Sequence, residues 1–309
     1  MTKPLATIVV PFFNVEDYLD ECLKSIFETK CDAFEVLLID DGSTDGSSGI
    51  ARHYCELFPN ICRTIRQENM GIANARNEGI DSANGEWIIY VDSDDFVDPS
   101  ALRKVLEECE RTTADIIAYD AYKYVNDNGK LLNMYREPNP FTNEGIVDTN
   151  LYAKTLLDKQ LLNFVTVWDK AYRKSALDKL AIRFIPGRIH EDVAFIIPLL
   201  LSHLKIEYIN LKVVFYRVNR EGSIMTAYNR NKLGHVIENI IMLNKFFKLN
   251  NVKDTVFYDY LVFLVGTVIK GKVKVDKRIL WSLFTNSLSL RKRMILVFLA
   301  FKNIIGEPL

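Results

Sequence analysis

The sequence predicts an α/β fold built on an open, mostly parallel sheet with helices on both faces, followed by a C-terminal helical region. Three observations carry that expectation. Short β-branched runs alternate with helical patterns over the first 120 residues, acidic clusters end two of those runs, and beyond about residue 230 the patterns are helical. Strand–helix alternation calls for parallel pairing with both sheet faces covered.

The strands read, in order, ATIVV (6–10), VLLID (36–40), TIRQ (64–67), WIIYVD (87–92) and DIIAYD (115–120), with a helix after each of the first four. The first helix is the clearest. Val15, Tyr18, Leu19, Cys22, Leu23, Ile26 and Phe27 recur at helical spacing, so one stripe faces the sheet while Glu16, Asp20 and Lys24 face water. After residue 120 the rhythm changes: AYKYV and KLLNMY flank NDNG, whose Asn and Gly tolerate positive φ, and a hairpin is expected. A helix near 149–161 follows, then mixed strand and helix over 164–217 that ends in VVFYRV (213–218). Residues 1–225 are expected to form one α/β unit, in halves 1–120 and 121–225, with 226–309 as a helical addition.

Composition sets limits on function. With 309 residues, 49% hydrophobic and 26% charged, the chain can bury a full core, and disorder is excluded as its general state. The start, MTKPLATIVVPFF, lacks the pattern of a secretory signal and reads as a buried strand. Five cysteines (Cys22, Cys31, Cys55, Cys62, Cys109), without a C-x-x-C pair, fit thiols in a reducing compartment, so cytoplasm is expected and structural zinc is not. Net charge is −1 but unevenly placed: residues 230–309 hold 14 Lys and Arg against 5 Asp and Glu, while residues 1–229 hold 25 against 35. A basic tail suited to an anionic partner thus follows an acidic body.

The acidic clusters are the main chemical signal, because ligands of open α/β sheets bind beyond the carboxyl ends of the strands. IDDGSTDGS (39–47) places Asp40 and Asp41 at a strand end, and reads equally as a nucleotide contact or as a plain strand-to-helix turn. VDSDD (91–95) ends another strand before Pro99, a residue suited to a first helical turn. Within it Asp92, Ser93 and Asp94 form D-x-D, which can hold a hard divalent ion against the charge of a departing diphosphate. Between the clusters lies NMGIANARNEGI (69–80), where Gly71 permits close approach to a ligand. Arg76, on the following helix, could pair with a phosphate or sit in a surface ion pair.

PFFN (11–14), IDDGSTD (39–45), NMGIANARN (69–77) and VDSDD (91–95), in this order and spacing, resemble the nucleotide-sugar-binding half of glycosyltransferase family two, whose members have the GT-A fold. The likeness is strong over residues 5–120, looser to about 225, and does not reach the tail. It implies a donor site built from Pro11, Phe13, Asn14, Asp40, Asp41, Gly71, Arg76, Asp92 and Ser93. Phe13 would stack on the base and Asp41 would accept from its ring N–H, which selects uracil or thymine over cytosine. A UDP-sugar is the expected donor, with a dTDP-sugar as the alternative, and Mn²⁺ or Mg²⁺ would be held by Asp94, with Asp92 beside it. Downstream, GRIHEDVAFIIPLLL (187–201) matches the family's E-D pair at a helix start. The resemblance makes Asp192 the general base and Glu191 the residue that orients the acceptor, and the helix N-terminus would favour their ionised forms. His190 is read as a partly exposed loop residue, and as a metal ligand only in a minor variant. Trp168, in WDKAYRK (168–174), would line the acceptor pocket or belong to the core, and Arg217, Arg220 and Ser223 would fold over the diphosphate.

The resemblance implies an inverting transferase that acts on a glycan or lipid-linked saccharide in bacterial surface-polysaccharide synthesis; nucleic acid is not an expected partner. DYLVFLVGTVI (259–269) and RKRMILVFLAFKNII (291–305) fall short of the roughly 20 apolar residues that span a bilayer. Flanked by Lys272, Lys274, Lys277, Arg278, Arg291, Lys292, Arg293 and Lys302, they suit peripheral attachment to the inner face of the plasma membrane, or else a helical bundle and homodimer interface. The main rival is an inactive GT-A domain that binds glycan or a partner. A receiver domain leaves some 190 residues unexplained, and a nucleotidyltransferase needs a glycine-rich phosphate loop where PFFN stands.

Overall fold

A computed structural model describes residues 3–31, 33–125, 129–134, 140–141, 145–159, 165–188, 190–218, 230–253, 255–270, 275–284 and 295. Four parallel strands form its nucleus: β1 (Ala6–Phe12), β2 (Phe34–Asp40), β3 (Cys62–Arg66) and β4 (Trp87–Tyr90). β1 pairs with both β2 and β4, and β2 pairs with β3. In that register Phe12 lies opposite Asp40, and Asp40 opposite Arg66, so the strands end together along one rim.

The sheet then continues through β5 (Phe96–Val97), β6 (Ile116–Val125), β7 (Lys130–Asn133), β8 (Ile146–Asp148), β9 (Lys170–Arg173) and β10 (Lys205–Val218). Its order is β3-β2-β1-β4-β9-β6-β10-β5, with β7 on β6 and β8 on β10. β9 runs antiparallel to both neighbours, whereas β6 and β10 are parallel. DIIAYD and AYKYV prove to be one ten-residue strand, β6, which turns back through the expected hairpin onto β7. Gly129 has the positive φ that turn requires; residues 126–128 lie outside the described set.

Strand periodicity sends alternate side chains to opposite faces, and each face has its own helices. Ile8 and Val10 pack with α1 (Glu16–Phe27), α2 (Ser47–Leu57) and α4 (Pro99–Arg111), which presents Leu102, Val105 and Leu106. Asp98 caps α4 by accepting from Ser100 and Ala101 N–H, and Pro99 opens its first turn. Val9, Leu37 and Ile39 point the other way, toward α3 (Ile72–Ser82), α5 (Thr149–Asp158) and α7 (Glu191–Leu200); α6 (Lys174–Lys179) adds Leu177. The same core runs on into α8 (Arg230–Leu249), α9 (Thr255–Lys270) and α10 (Lys277–Phe284) through Ile240, Phe247, Leu261, Val265 and Leu283.

The apolar run 259–269 therefore lies in α9, where Leu261, Val262, Val265 and Val268 are buried in the core shared with α5, α7 and α8. The run 291–305 lies outside the described residues except for position 295. No helix among the described residues is long and apolar enough to cross a membrane.

The approach of α3 to β1 is set by Gly79. A Cβ there would fall 2.4 Å from a Val9 methyl. Gly79→Ala should overpack this contact and lower unfolding free energy by about 1–3 kcal/mol. Urea denaturation measures the effect, and an unchanged midpoint would show that the helix can shift freely.

Candidate active site

Beyond β1 and β2, the chain is tied into a loop by side chains that accept backbone N–H groups. Pro11 sits in β1 opposite Ile39, and Phe13, just past the strand, is 43% exposed. Asn14 takes a left-handed φ of 52° and accepts from Thr44 N–H at 2.8 Å. Asp40 is buried and accepts from Ser43 N–H (2.8 Å), the Ser48 hydroxyl (2.5 Å) and Arg66 (2.7 Å). Asp41 accepts from Gln67 (2.7 Å), Met70 N–H (2.9 Å) and Gly71 N–H (2.8 Å). Its carboxylate thereby shapes the 67–71 loop, and of about four lone-pair sites only one is left for a base. The turn-forming reading holds for both residues, and Asp41 keeps an acceptor site beside that role. Gly71 caps α3 at φ 85°, ψ 162°, a conformation that L side chains rarely adopt.

α3 delivers Arg76 to the centre of the site. It is 3% exposed, so the surface ion pair is ruled out. Its Nη1 donates to Glu191 and to Asp192, each at 2.6 Å, and its Nη2 donates to Asp92 at 2.9 Å. Burial alone would lower the guanidinium pKa, yet the charges of Asp192, Asp92 and Glu191 raise it well above its ordinary value. The rings of Phe184 and Tyr90 lie 5.4 and 5.9 Å from its centre. One side chain thus joins the D-x-D loop to the E-D pair, 115 and 116 residues further along the chain.

In the loop itself exposure alternates, with Asp92 and Asp94 partly open while Ser93 and Asp95 are buried. A backbone bond from Asp95 N–H to the Asp92 carbonyl (3.0 Å) closes the turn. Burial, and then the charges of Asp94 and Asp92, push the Asp95 carboxyl well above the usual range. The crowding of Asp92, Asp94 and Asp95 adds negative charge at this turn, which suits a cation. Among the described residues no three His, Cys, Asp or Glu side chains form a ready metal cage. The donor set instead fits an ion that takes one or two carboxylates and completes its shell with water and phosphate oxygens, as Mg²⁺ and Mn²⁺ do.

Glu191 and Asp192 open α7 as expected, but the surroundings of Asp192 correct the expectation that it ionises easily. Burial pushes the Asp192 carboxyl up to about 8; Arg76 opposes this, and the charges of Glu191 and Asp92 add to it. The helix N-terminus does not override desolvation. His190 precedes them in a left-handed conformation, φ 60°, and is partly exposed. Its backbone carbonyl accepts from Asn239 Nδ2 at 3.1 Å, and Asn239 Oδ1 accepts from Arg188 Nη1 at 3.0 Å. This buried asparagine of α8, which sequence reading missed, braces both sides of the loop that carries the carboxylates. Its signal was a polar residue on the apolar stripe of Val236, Ile240 and Leu243.

Trp168 belongs to the core, stacked on Tyr216 at 5.5 Å, and is not presented to a sugar. Arg217 lies behind the D-x-D loop with its guanidinium buried; Arg220 and Ser223 lie outside the described residues.

The open α/β sheet, with carboxylates gathered past its strand ends, has the GT-A fold. The chain belongs to glycosyl transferase family 2, whose model matches residues 7–181. It is 29% identical to glycosyltransferase GlyA of Streptococcus pneumoniae over 75% of this chain, yet spans only 33% of that protein. Its fold is similar to S. aureus TarS in complex with UDP-GlcNAc, with a TM-score of 0.63 and 20% identity over 97% of this chain and 88% of that one. It is also similar to the mannosyltransferase PcManGT of Pyrobaculum calidifontis in complex with GDP-Man and Mn²⁺, with a TM-score of 0.56 and 17% identity over 98% and 87% of the two chains.

Replacing Arg76 by methionine keeps the bulk but strands three carboxylates. The variant should lose about 3–5 kcal/mol of stability at pH 7. The loss should shrink at pH 5, because stranded carboxylates take up protons there and the variant regains stability as pH falls. Urea denaturation at both pH values decides this, and an equal deficit at each would deny that Arg76 acts by pairing them.

Proposed function

We propose that this chain is an inverting, metal-dependent glycosyltransferase that moves a sugar from a UDP-sugar to a hydroxyl of a glycan or lipid-linked saccharide. The observation that supports it most is the joining of Asp92 to Glu191 and Asp192 through Arg76, which sets a donor-side carboxylate beside an acceptor-side pair. Nucleotide sugars bound to TarS and PcManGT, and Mn²⁺ in the latter, support the donor class and the ion.

In this reading Phe13, Asn14, Asp41 and Gly71 cradle the nucleotide, and Asp41 offers its remaining acceptor site to N3–H of uracil. Asp94, with Asp92 beside it, would hold Mn²⁺ or Mg²⁺, which would supply neutralisation of the diphosphate charge. Glu191 orients the acceptor. Asp192 takes the hydroxyl proton as that oxygen bonds to the anomeric carbon, and the bond to the diphosphate oxygen breaks on the opposite face. One displacement with one base inverts the configuration.

Asp192→Asn should keep UDP affinity and lose transfer by at least about 100-fold. Since a base must be ionised, kcat/KM should rise with pH through the region near 8 to which Asp192 is pushed. Asp94→Ala should abolish the metal dependence of UDP binding. Retained anomeric configuration in the product, read by NMR, or full turnover by Asp192→Asn, would refute the mechanism.

The same proposal sets the helical region against an anionic membrane surface, with Leu249, Phe263 and Trp281 (68%) exposed and 14 Lys and Arg against 5 Asp and Glu over residues 230–309. Vesicles containing anionic lipid should then bind the protein at low salt and release it at about 0.5 M, where screening is short-ranged. Binding unaffected by salt would leave dimerisation or core packing as the role of this region.

A further inference from the structure

We infer that Arg217 is a positioning residue for the metal-binding loop, clamping the backbone at Asp94 from the side opposite Arg76. The inference rests on the reading of Asp94 as a metal ligand. Near the end of β10, Arg217 sends Nε–H to the Asp94 carbonyl oxygen at 2.9 Å. Its own backbone N–H donates to Asp95 Oδ1 at 2.8 Å. Nη2 donates to Glu21 of α1 at 2.6 Å. Tyr18, Phe96 and Tyr124 surround the guanidinium, with ring centres 5.1, 5.4 and 5.1 Å from its central carbon.

These contacts leave the Arg217 side chain 4% exposed, so it does not fold over a diphosphate in this structure. What it does is tie three separate segments, α1, the 92–95 loop and β10, at the residue whose carboxylate would hold the ion. Arg76 fixes the side chain of Asp92, and Arg217 fixes the main chain of Asp94 and the side chain of Asp95. Each residue of the D-x-D motif that faces the ion is thereby anchored by a different arginine. A planar guanidinium can donate along two edges while its faces lie against rings, whereas an ammonium cannot hold that geometry. Supports of this kind tune metal affinity without touching the ion.

The test uses the full chain, Mn²⁺ and UDP. Free Mn²⁺ is followed by electron paramagnetic resonance during titration of the UDP-bound protein, and UDP affinity without metal is measured by calorimetry in EDTA. Arg217→Met should weaken Mn²⁺ binding by about 10-fold or more, with Arg217→Lys in between. Metal-free UDP affinity should stay within about twofold, since the nucleotide contacts are on other loops. Should Arg217→Met not fold, Glu21→Gln leaves the guanidinium and its rings in place and should weaken Mn²⁺ binding by about two- to threefold. Wild-type Mn²⁺ affinity in a folded Arg217→Met, or in Glu21→Gln when the former does not fold, overturns the clamp. If the wild-type protein itself binds UDP without using Mn²⁺, the metal reading of Asp94 falls, and the inference with it.

Discussion

A guanidinium shared by three carboxylates is the constraint around which this site is organised. Arg76, Asp92, Glu191 and Asp192 come from three elements, and the full set of ion pairs forms only where α3 meets both the loop after β4 and the start of α7. The meeting is made possible by packing. Gly79 lets α3 lie against β1, and Phe184 stacks on Phe195 of α7 at 4.0 Å while facing Arg76. Buried charge is expensive, and one cation beside three carboxyl groups does not neutralise them all once Asp192 ionises. The residual negative charge is a liability for folding and an asset for binding a cation.

Much of this was legible in the sequence because it followed period. Alternating runs gave the parallel nucleus, and acidic residues after strands marked its working rim. Roles were harder to read. Arg76 lies on the same buried stripe of α3 as Ala73 and Ile80, and Asn239 lies between the buried Val236 and Ile240 of α8. A polar residue on an apolar stripe is the common sign of both, and it outranks the motif letters as a guide to what is buried.

Other features could not be read because two physical demands give the same letters. An apolar run of 11 residues suits a membrane interface or a core helix alike, and α9 spends its run on the core shared with α5 and α7. Trp168 presents the same ambiguity, and its stacking on Tyr216 resolves it in favour of packing. Asp41 is ambiguous in another way, because a carboxylate that shapes a loop can retain one acceptor site.

The raised pKa of Asp192 turns the cost of burial into a property of the proposed reaction. A carboxylate ionised too readily is a weak base toward an alcohol, while one never ionised cannot act at all. Burial, Glu191 and Asp92 push Asp192 upward, Arg76 restrains the rise, and the balance falls near 8. Arg76 therefore holds Asp192 in place and limits its basicity at once. Glu191, bonded to the same nitrogen, keeps that cation from belonging to Asp192 alone. In the proposed reaction the E-D pair would work as a unit for this reason, with one carboxylate absorbing part of the arginine so that the other could take a proton.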